Sequence, residues 1–261
     1  MIKVLVNGAC GRMGREVIKA VSADADLSLV AAVDPRCAGE DAGELAGIGK
    51  IHVTIVEDLA AALKSAEVMV DFTNAEAAKA SVLKALESGV HAVVGTTGMS
   101  QGDLDEIRRE AEKGTANAFV APNFAIGAVL MMRLAEIAAK YLPAVEIIEL
   151  HHDQKVDAPS GTALLTAKKL AEIMQKREEP TKKETLRGSR GGDYEGVRVH
   201  SIRLPGFVAH QKVIFGGSGQ TLTIRHDSID RSSFMPGVLM AIKSVADLPG
   251  LTIGLENVLG L

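Results

Sequence analysis

The most constraining stretch of this chain is its beginning, MIKVLVNGACGRMG. An apolar strand pattern at residues 2–6 runs straight into glycines at Gly8, Gly11 and Gly14, and a helical period begins at once. Glycines so placed permit a tight turn, close approach of the backbone to a pyrophosphate, and close helix–sheet packing. The helix start adds N–H groups with no intrahelical partner and a partial positive charge. A bare glycine triplet would also fit an ordinary strand–helix turn. Asp34 tips the reading, because it closes the second strand pattern 20 residues beyond Gly14, where an acid for ribose hydroxyls is expected. Gly8, Ala9, Cys10, Gly11, Arg12, Met13 and Gly14, together with Asp34, are therefore expected to bind a dinucleotide.

The rest of the first half repeats the same unit. Strand patterns at 2–6, 27–33, 52–55, 68–72, 90–94 and 118–121 alternate with helical ones at 13–21, 58–64, 75–88 and 103–113. That alternation predicts an α/β fold, a Rossmann-type doubly wound parallel sheet covered on both faces. The strands are continuously apolar, as burial on both sides requires. After Asn123 the pattern changes. Helices are expected at 128–141, 162–175 and 235–245, and strands at 145–152, 197–204, 207–215 and 221–226. A polar stretch at 176–196 reads as a surface loop, and 251–259 as a short strand and tail. VRVHSIRL and TLTIRH alternate apolar with polar, which predicts an open mixed sheet with one face packed. The second part is thus an α+β unit built on an open sheet with one face available.

Composition narrows the function. A net charge of −4 argues against a nucleic-acid partner, which would demand clustered Lys and Arg. No apolar run approaches the roughly 20 residues that span a bilayer, so no membrane partner is expected. Cys10 and Cys37 are the only cysteines, too few for a disulfide framework. A reduced, cytoplasmic setting is expected, with Cys10 as a small space-filler. Aromatic residues make up 3% with no Trp, so the core must be built from Val, Leu, Ile, Ala and Met.

Two further loops stand at carboxyl ends of strands, where open α/β sheets bind ligands. They are Phe72-Thr73 and Gly95-Thr96-Thr97-Gly98, with small or hydroxyl side chains suited to a nicotinamide ribose and carboxamide. Arg12 and Arg36 are each long enough to reach a 2′-phosphate.

The densest polar cluster is EIIELHHDQKVDAPSGTA, from Glu146 to Ala163. It begins in a strand and ends at a helix start. Ser160 is the expected N-cap, and Gly161 and Thr162 would present N–H groups to an anion. His151, His152 and Lys155 precede that helix, a set suited to carboxylates and to proton donation. One His on a strand is ordinarily structural, and a lone Lys is ordinarily solvated; three such residues together within five positions point to a site. No metal is expected, because adjacent strand residues point to opposite faces and His151 and His152 would not share one ion.

This run, with GACGRMG, DFT, GTTG, APNF and a late RSSF in that order, closely resembles the 4-hydroxy-tetrahydrodipicolinate reductase family over essentially the whole chain. The resemblance implies reduction of a cyclic dicarboxylate imine by NADH or NADPH, on the route to diaminopimelate and lysine. It implies His151 as proton donor or acceptor and Lys155 as proton donor and substrate ligand. His152, Ser160, Gly161 and Thr162 would hold substrate carboxylates. The cofactor would meet residues 8–14, Asp34, Arg36, Phe72, Gly95, Thr96, Thr97, Ala121, Pro122, Asn123 and Phe124. Family members often carry Arg directly after the ribose acid; here Pro35 stands there and Arg36 follows. We expect both cofactors to be used, NADH in preference. The resemblance also implies a homotetramer joined through the open sheet, with 1–122 and 233–261 forming the nucleotide domain and 123–232 the substrate domain. Two other classes compete with this reading. One is a non-catalytic dinucleotide-binding redox sensor, the other a Rossmann reductase such as an amino-acid dehydrogenase.

Overall fold

A computed structural model describes residues 1–175 and 183–261. The elements in chain order begin with β1 (Ile2–Asn7), α1 (Arg12–Ala23), β2 (Leu27–Val33), α2 (Ala42–Ala46), β3 (Ile55–Val56) and α3 (Leu59–Leu63). Then come β4 (Val68–Asp71), α4 (Ala75–Glu87), β5 (His91–Val94), α5 (Gln101–Ala111), β6 (Ala118–Val120) and α6 (Ile126–Ala139). Next are β7 (Ala144–His151), α7 (Gly161–Ile173), β8 (Gly192–Tyr194), β9 (Val197–Arg203), β10 (Ala209–Gly217) and β11 (Gln220–Ser228). The last are α8 (Met235–Ser244), β12 (Leu251–Ile253) and α9 (Glu256–Leu259). Two compact units result: Met1–Phe124 with Phe234–Leu261, and Ala125–Ser233.

The first unit holds a seven-stranded sheet in the order β12-β6-β5-β4-β1-β2-β3. Its strands pair in parallel throughout. This is the doubly wound arrangement, with its order reversing between β1 and β4. Helix starts are fixed locally: Asn74 caps α4, and Ser100 and Asp103 form a reciprocal capping box on α5. Val4, Leu5, Val6, Met69, Val70, Val93 and Phe119 are fully buried, the aliphatic core that a Trp-free composition predicts.

The second unit holds a five-stranded mixed sheet, β11-β10-β7-β9-β8. β7 runs parallel to β9 and antiparallel to β10. Along β7, Val145, Ile147 and Glu149 are buried while Glu146, Ile148 and Leu150 are half-buried, the alternation of a sheet with one packed face.

Three segments depart from the sequence reading. The strand expected at 52–55 shrinks to two residues, because His52 takes φ +62°, a left-handed conformation that interrupts extended backbone. The polar stretch at 176–196 reads as a loop throughout, but its Gly192–Tyr194 pairs with β9 as β8. Its residues 176–182 lie outside the described set. The tail after β12 turns at Gly254, φ +99°, into α9. Helix α2 escaped the periodicity argument because five residues are too few to show a period. It is fixed instead by Asp41 at its start and a left-handed Gly47 at its end.

Candidate active site

The glycine loop is shaped by what cannot fit. Gly8 takes φ +83°, and a Cβ there would come within 2.9 Å of the carbonyl oxygen of Phe72. A Cβ on Gly14 would collide with the carbonyl oxygen of Gly8, and one on Gly95 with the Phe72 ring. Side chains at these three positions would fill the cradle that backbone now forms. Gly11 caps α1 without a side-chain hydrogen bond. Gly8 and Ala9 are buried, Cys10, Gly11 and Met13 are half-buried, and Arg12 is exposed.

Asp34 is only 3% exposed. One oxygen accepts from the Cys10 N–H at 3.0 Å and from Arg36 Nη2 at 2.7 Å. The other accepts from Arg36 Nε at 2.9 Å and from the Arg36 N–H at 3.1 Å. The Arg36 guanidinium holds this carboxyl below its usual range, outweighing burial, with the two backbone N–H groups assisting. Cys10 is not the isolated space-filler that its sequence context suggests. It is disulfide-bonded to Cys37, with Cα atoms 6.4 Å apart, because the turn after β2 brings position 37 back beside the glycine loop. Among the described residues, Cys10, Asp34 and Cys37 form a group whose potential ligand atoms lie within 4.8 Å of one another. The two sulfurs are joined to each other and the acid is taken up by Arg36 and the Cys10 N–H, so this group offers an ion little.

The remaining loops of this unit leave the sheet side by side. The Phe72 N–H donates to Asn7 O, that of Gly95 to Asp71 O, and that of Ala121 to Val94 O, at 2.9–3.2 Å. Phe72 and Phe124 meet with ring centroids 6.0 Å apart. Thr96 and Ala121 are buried, Phe72 and Asn123 half-buried, Thr97 and Pro122 exposed. Beneath them lies a polar network that the sequence reading missed. Fully buried Asp71 accepts from Asn7 Nδ2 at 2.7 Å, Thr73 Oγ1 at 2.8 Å and Thr96 Oγ1 at 3.0 Å. The available signal was one acid closing the otherwise apolar strand VMVD. The residues present fit a dinucleotide: a backbone cradle, a helix start and a buried acid at the strand end.

In the second unit the chemistry gathers around a carboxylate that sequence reasoning left unassigned. Glu149 has no exposed surface. Its Oε2 lies 2.5 Å from His151 Nδ1 and accepts from Arg203 Nη1 at 2.9 Å. Its Oε1 accepts from Arg203 Nη2 at 2.7 Å and from the Ser160 N–H at 3.2 Å. Burial alone would raise this acid; hydrogen bonds from His151, Arg203 and Ser201 overcome it and hold the carboxyl at about 2. Glu149 is therefore a buried anion that places an imidazole, a guanidinium and the start of α7 in one cluster. Arg203 was also missed. Parallel pairing of β7 with β9 sets it opposite His151, and its signal was an Arg at the end of the alternating strand VRVHSIRL.

The other expected residues lie close in sequence. Ser160 caps α7, its hydroxyl accepting the Ala163 N–H at 3.3 Å. Gly161 is exposed and Thr162 half-buried at the first turn. Lys155 Nζ donates to Asp157 Oδ1 at 2.7 Å, and this bond lowers the Asp157 carboxyl against its partial burial. His152 is half-buried just past the end of β7. The cluster can bind anions through cations and N–H groups and can pass a proton through an imidazole whose other nitrogen is anchored.

Two descriptions match this chain: residues 2–124 the N-terminal part of dihydrodipicolinate reductase, and residues 127–259 its C-terminal part. The chain belongs to the dihydrodipicolinate reductase family. A 4-hydroxy-tetrahydrodipicolinate reductase of Moorella thermoacetica is 53% identical over 99% of this chain and 98% of that protein. One from Desulfitobacterium hafniense is 51% identical over the same shares. The solved structure of a dipicolinate-bound dihydrodipicolinate reductase from Paenisporosarcina sp. TG-14 superposes with a TM-score of 0.86. That protein is 42% identical, with 98% of this chain and 99% of that one covered. An amine dehydrogenase from Mycobacterium smegmatis, 14% identical with a TM-score of 0.64 over 96% and 94% of the two chains, shares the fold alone. The family is one of oxidoreductases, which speaks against a non-catalytic sensor, and the name shared by these full-length relatives favours the reductase over an amino-acid dehydrogenase.

Proposed function

We propose that this chain catalyses the NAD(P)H-dependent reduction of 4-hydroxy-tetrahydrodipicolinate to tetrahydrodipicolinate, in diaminopimelate and lysine biosynthesis and in a cytoplasmic setting. What carries the reading is the His151–Thr162 run, organised on buried Glu149, inside a chain 53% identical to a reductase of that name over nearly its full length. When bound, the nicotinamide supplies the hydride. Asp34 would accept the adenosine ribose hydroxyls after Arg36 swings aside, and the start of α1 would face the pyrophosphate. Gly95, Thr96, Thr97, Phe72 and residues 121–124 would hold the nicotinamide end.

Glu149 holds His151 by Nδ1, which leaves Nε2 as the nitrogen that gives the substrate its proton. The same carboxylate fixes the orientation of the ring, since it is itself held by Arg203 and the Ser160 N–H. Lys155 would exchange Asp157 for a substrate carboxylate. The present pair is partly solvated, with 52% of the Asp157 side chain exposed, so little is lost in the exchange. His152, Ser160, Gly161 and Thr162 would complete the hold on a dicarboxylate. Both cofactors are expected to serve, NADH in preference, since Asp34 repels a 2′-phosphate while Arg36 attracts one.

The deciding experiment is a steady-state assay on the condensation product of pyruvate and aspartate semialdehyde, run with NADH and with NADPH. Turnover supports the proposal. NADH binding without turnover would return the chain to the class of non-catalytic sensors. The half-buried residues Ile148, Leu150, Ile202 and Ile214 support the open sheet as the seat of a homotetramer, which sedimentation velocity would test.

A further inference from the structure

We infer that Cys10 and Cys37 form a reversible dithiol–disulfide latch over the adenosine end of the dinucleotide site, closed when oxidised and releasing the ribose acid when reduced. The inference rests on reading the glycine loop as a dinucleotide site. Three observations support it. Cys10 lies inside the loop, between Gly8 and the cap of α1, while Cys37 ends the short 3-10 turn that follows Asp34. Their Cα separation of 6.4 Å falls within the span a disulfide bridges. In the bridged state the acid beside them is 3% exposed, with both oxygens engaged. Arg36, whose side chain is 68% exposed, can swing out into water. The bridge cannot, and it ties the loop to the turn on either side of the carboxylate.

The chemistry is thiol–disulfide exchange with a low-molecular-weight disulfide. Cys10 is the attacking sulfur: it is half-buried just before a 12-residue helix, whereas Cys37 is buried. Its thiolate attacks one sulfur of the oxidant, breaking that S–S bond and releasing one thiolate. The Cys37 thiolate then attacks Cys10 Sγ, forming the internal bond and releasing the second. Two protein thiols lose two electrons and two protons, and one disulfide becomes two thiols. A pair of this kind is in keeping with a reducing compartment, where disulfides are usually transient and regulatory.

The test is a titration of NADH, followed by nicotinamide fluorescence, into the full chain equilibrated with glutathione disulfide or with dithiothreitol. Thiol counting on both samples reports the bridge separately. The oxidised form should bind NADH about ten- to a hundredfold more weakly, the range set by losing one charge-assisted hydrogen bond. Cys37→Ser should bind like the reduced protein in either buffer. Equal NADH affinity in the two states, or tighter binding when oxidised, overturns the latch. Thiols that appear on chelation rather than on reduction overturn it too, in favour of a metal site. If neither state binds NADH while the bridge still forms and breaks, the dinucleotide reading fails and takes the latch with it.

Discussion

The glycine loop and the His151 cluster reach their purposes by opposite means. The loop is made of absences: Gly8, Gly14 and Gly95 are places where any side chain would strike backbone or the Phe72 ring. The cluster is made of charges, and its centre is a carboxylate with no exposed surface. A site built from backbone is specified by spacing within one short segment. A site built from charges needs partners from several elements, here β7, β9 and the start of α7. The first therefore fails through steric change, the second through loss of a single proton or charge.

The largest expected effect strikes the charged site alone. His151→Gln should lower kcat by roughly 10²–10⁴-fold while NADH binding, measured by titration, stays within twofold (roughly 0.4 kcal/mol). A near-normal kcat would remove His151 from the chemistry. Lys155→Ala should raise KM and weaken competitive inhibition by dipicolinate by about one to two decades, the cost of a lost charged hydrogen bond. Unchanged inhibition would place the carboxylate site elsewhere.

Glu149→Gln sharpens the contrast. Neutralising the carboxylate that holds His151 by Nδ1 should lower kcat about tenfold, an effect of order 1–2 kcal/mol, and leave NADH binding unchanged. A purely structural Glu149 would change stability and leave kcat of the folded enzyme where it is. The same carboxyl makes an acid-lability prediction. It sits at about 2, below an ordinary value of 4.5, so its stabilising contribution is present above 4.5 and is lost as pH falls towards 2. Acid unfolding of the wild type should steepen across that window, and the Gln variant should lose that component. The smallest effect belongs to the loop: Arg36→Ala should reduce kcat/KM for NADPH several-fold, under about 1.5 kcal/mol for an exposed arginine, and spare NADH. A strong native preference for NADPH would show that Asp34 is outweighed.

The same contrast explains what could be read in the chain beforehand. The parallel sheet, the glycine loop and Asp34 were legible because each rests on local period or spacing. His151, His152, Lys155 and Ser160–Thr162 could be named as candidates because one contiguous run carries them. Glu149 and Arg203 were not, since their importance comes from strand pairing that puts Arg203 beside His151 across 52 positions of sequence. Asp71 was missed for a related reason: its partners Asn7, Thr73 and Thr96 are assembled from three strand ends. The Cys10–Cys37 bond depends on a turn after Asp34 that no periodicity announces.

The return of the chain to its first sheet has a consequence for synthesis. β6 gains its outer neighbour β12 through parallel pairing of Ala118–Val120 with Leu251–Ile253, after all of Ala125–Ser233 has been made. At roughly 5–20 residues per second, that edge stays open on the ribosome for on the order of ten seconds. During that interval β6 presents an unpaired row of N–H and C=O groups, the kind of edge that invites pairing with another nascent chain. The intervening unit, contiguous in sequence, is free to finish first. Order of translation thus lets the inserted unit complete before the unit that encloses it, which waits for its last strand.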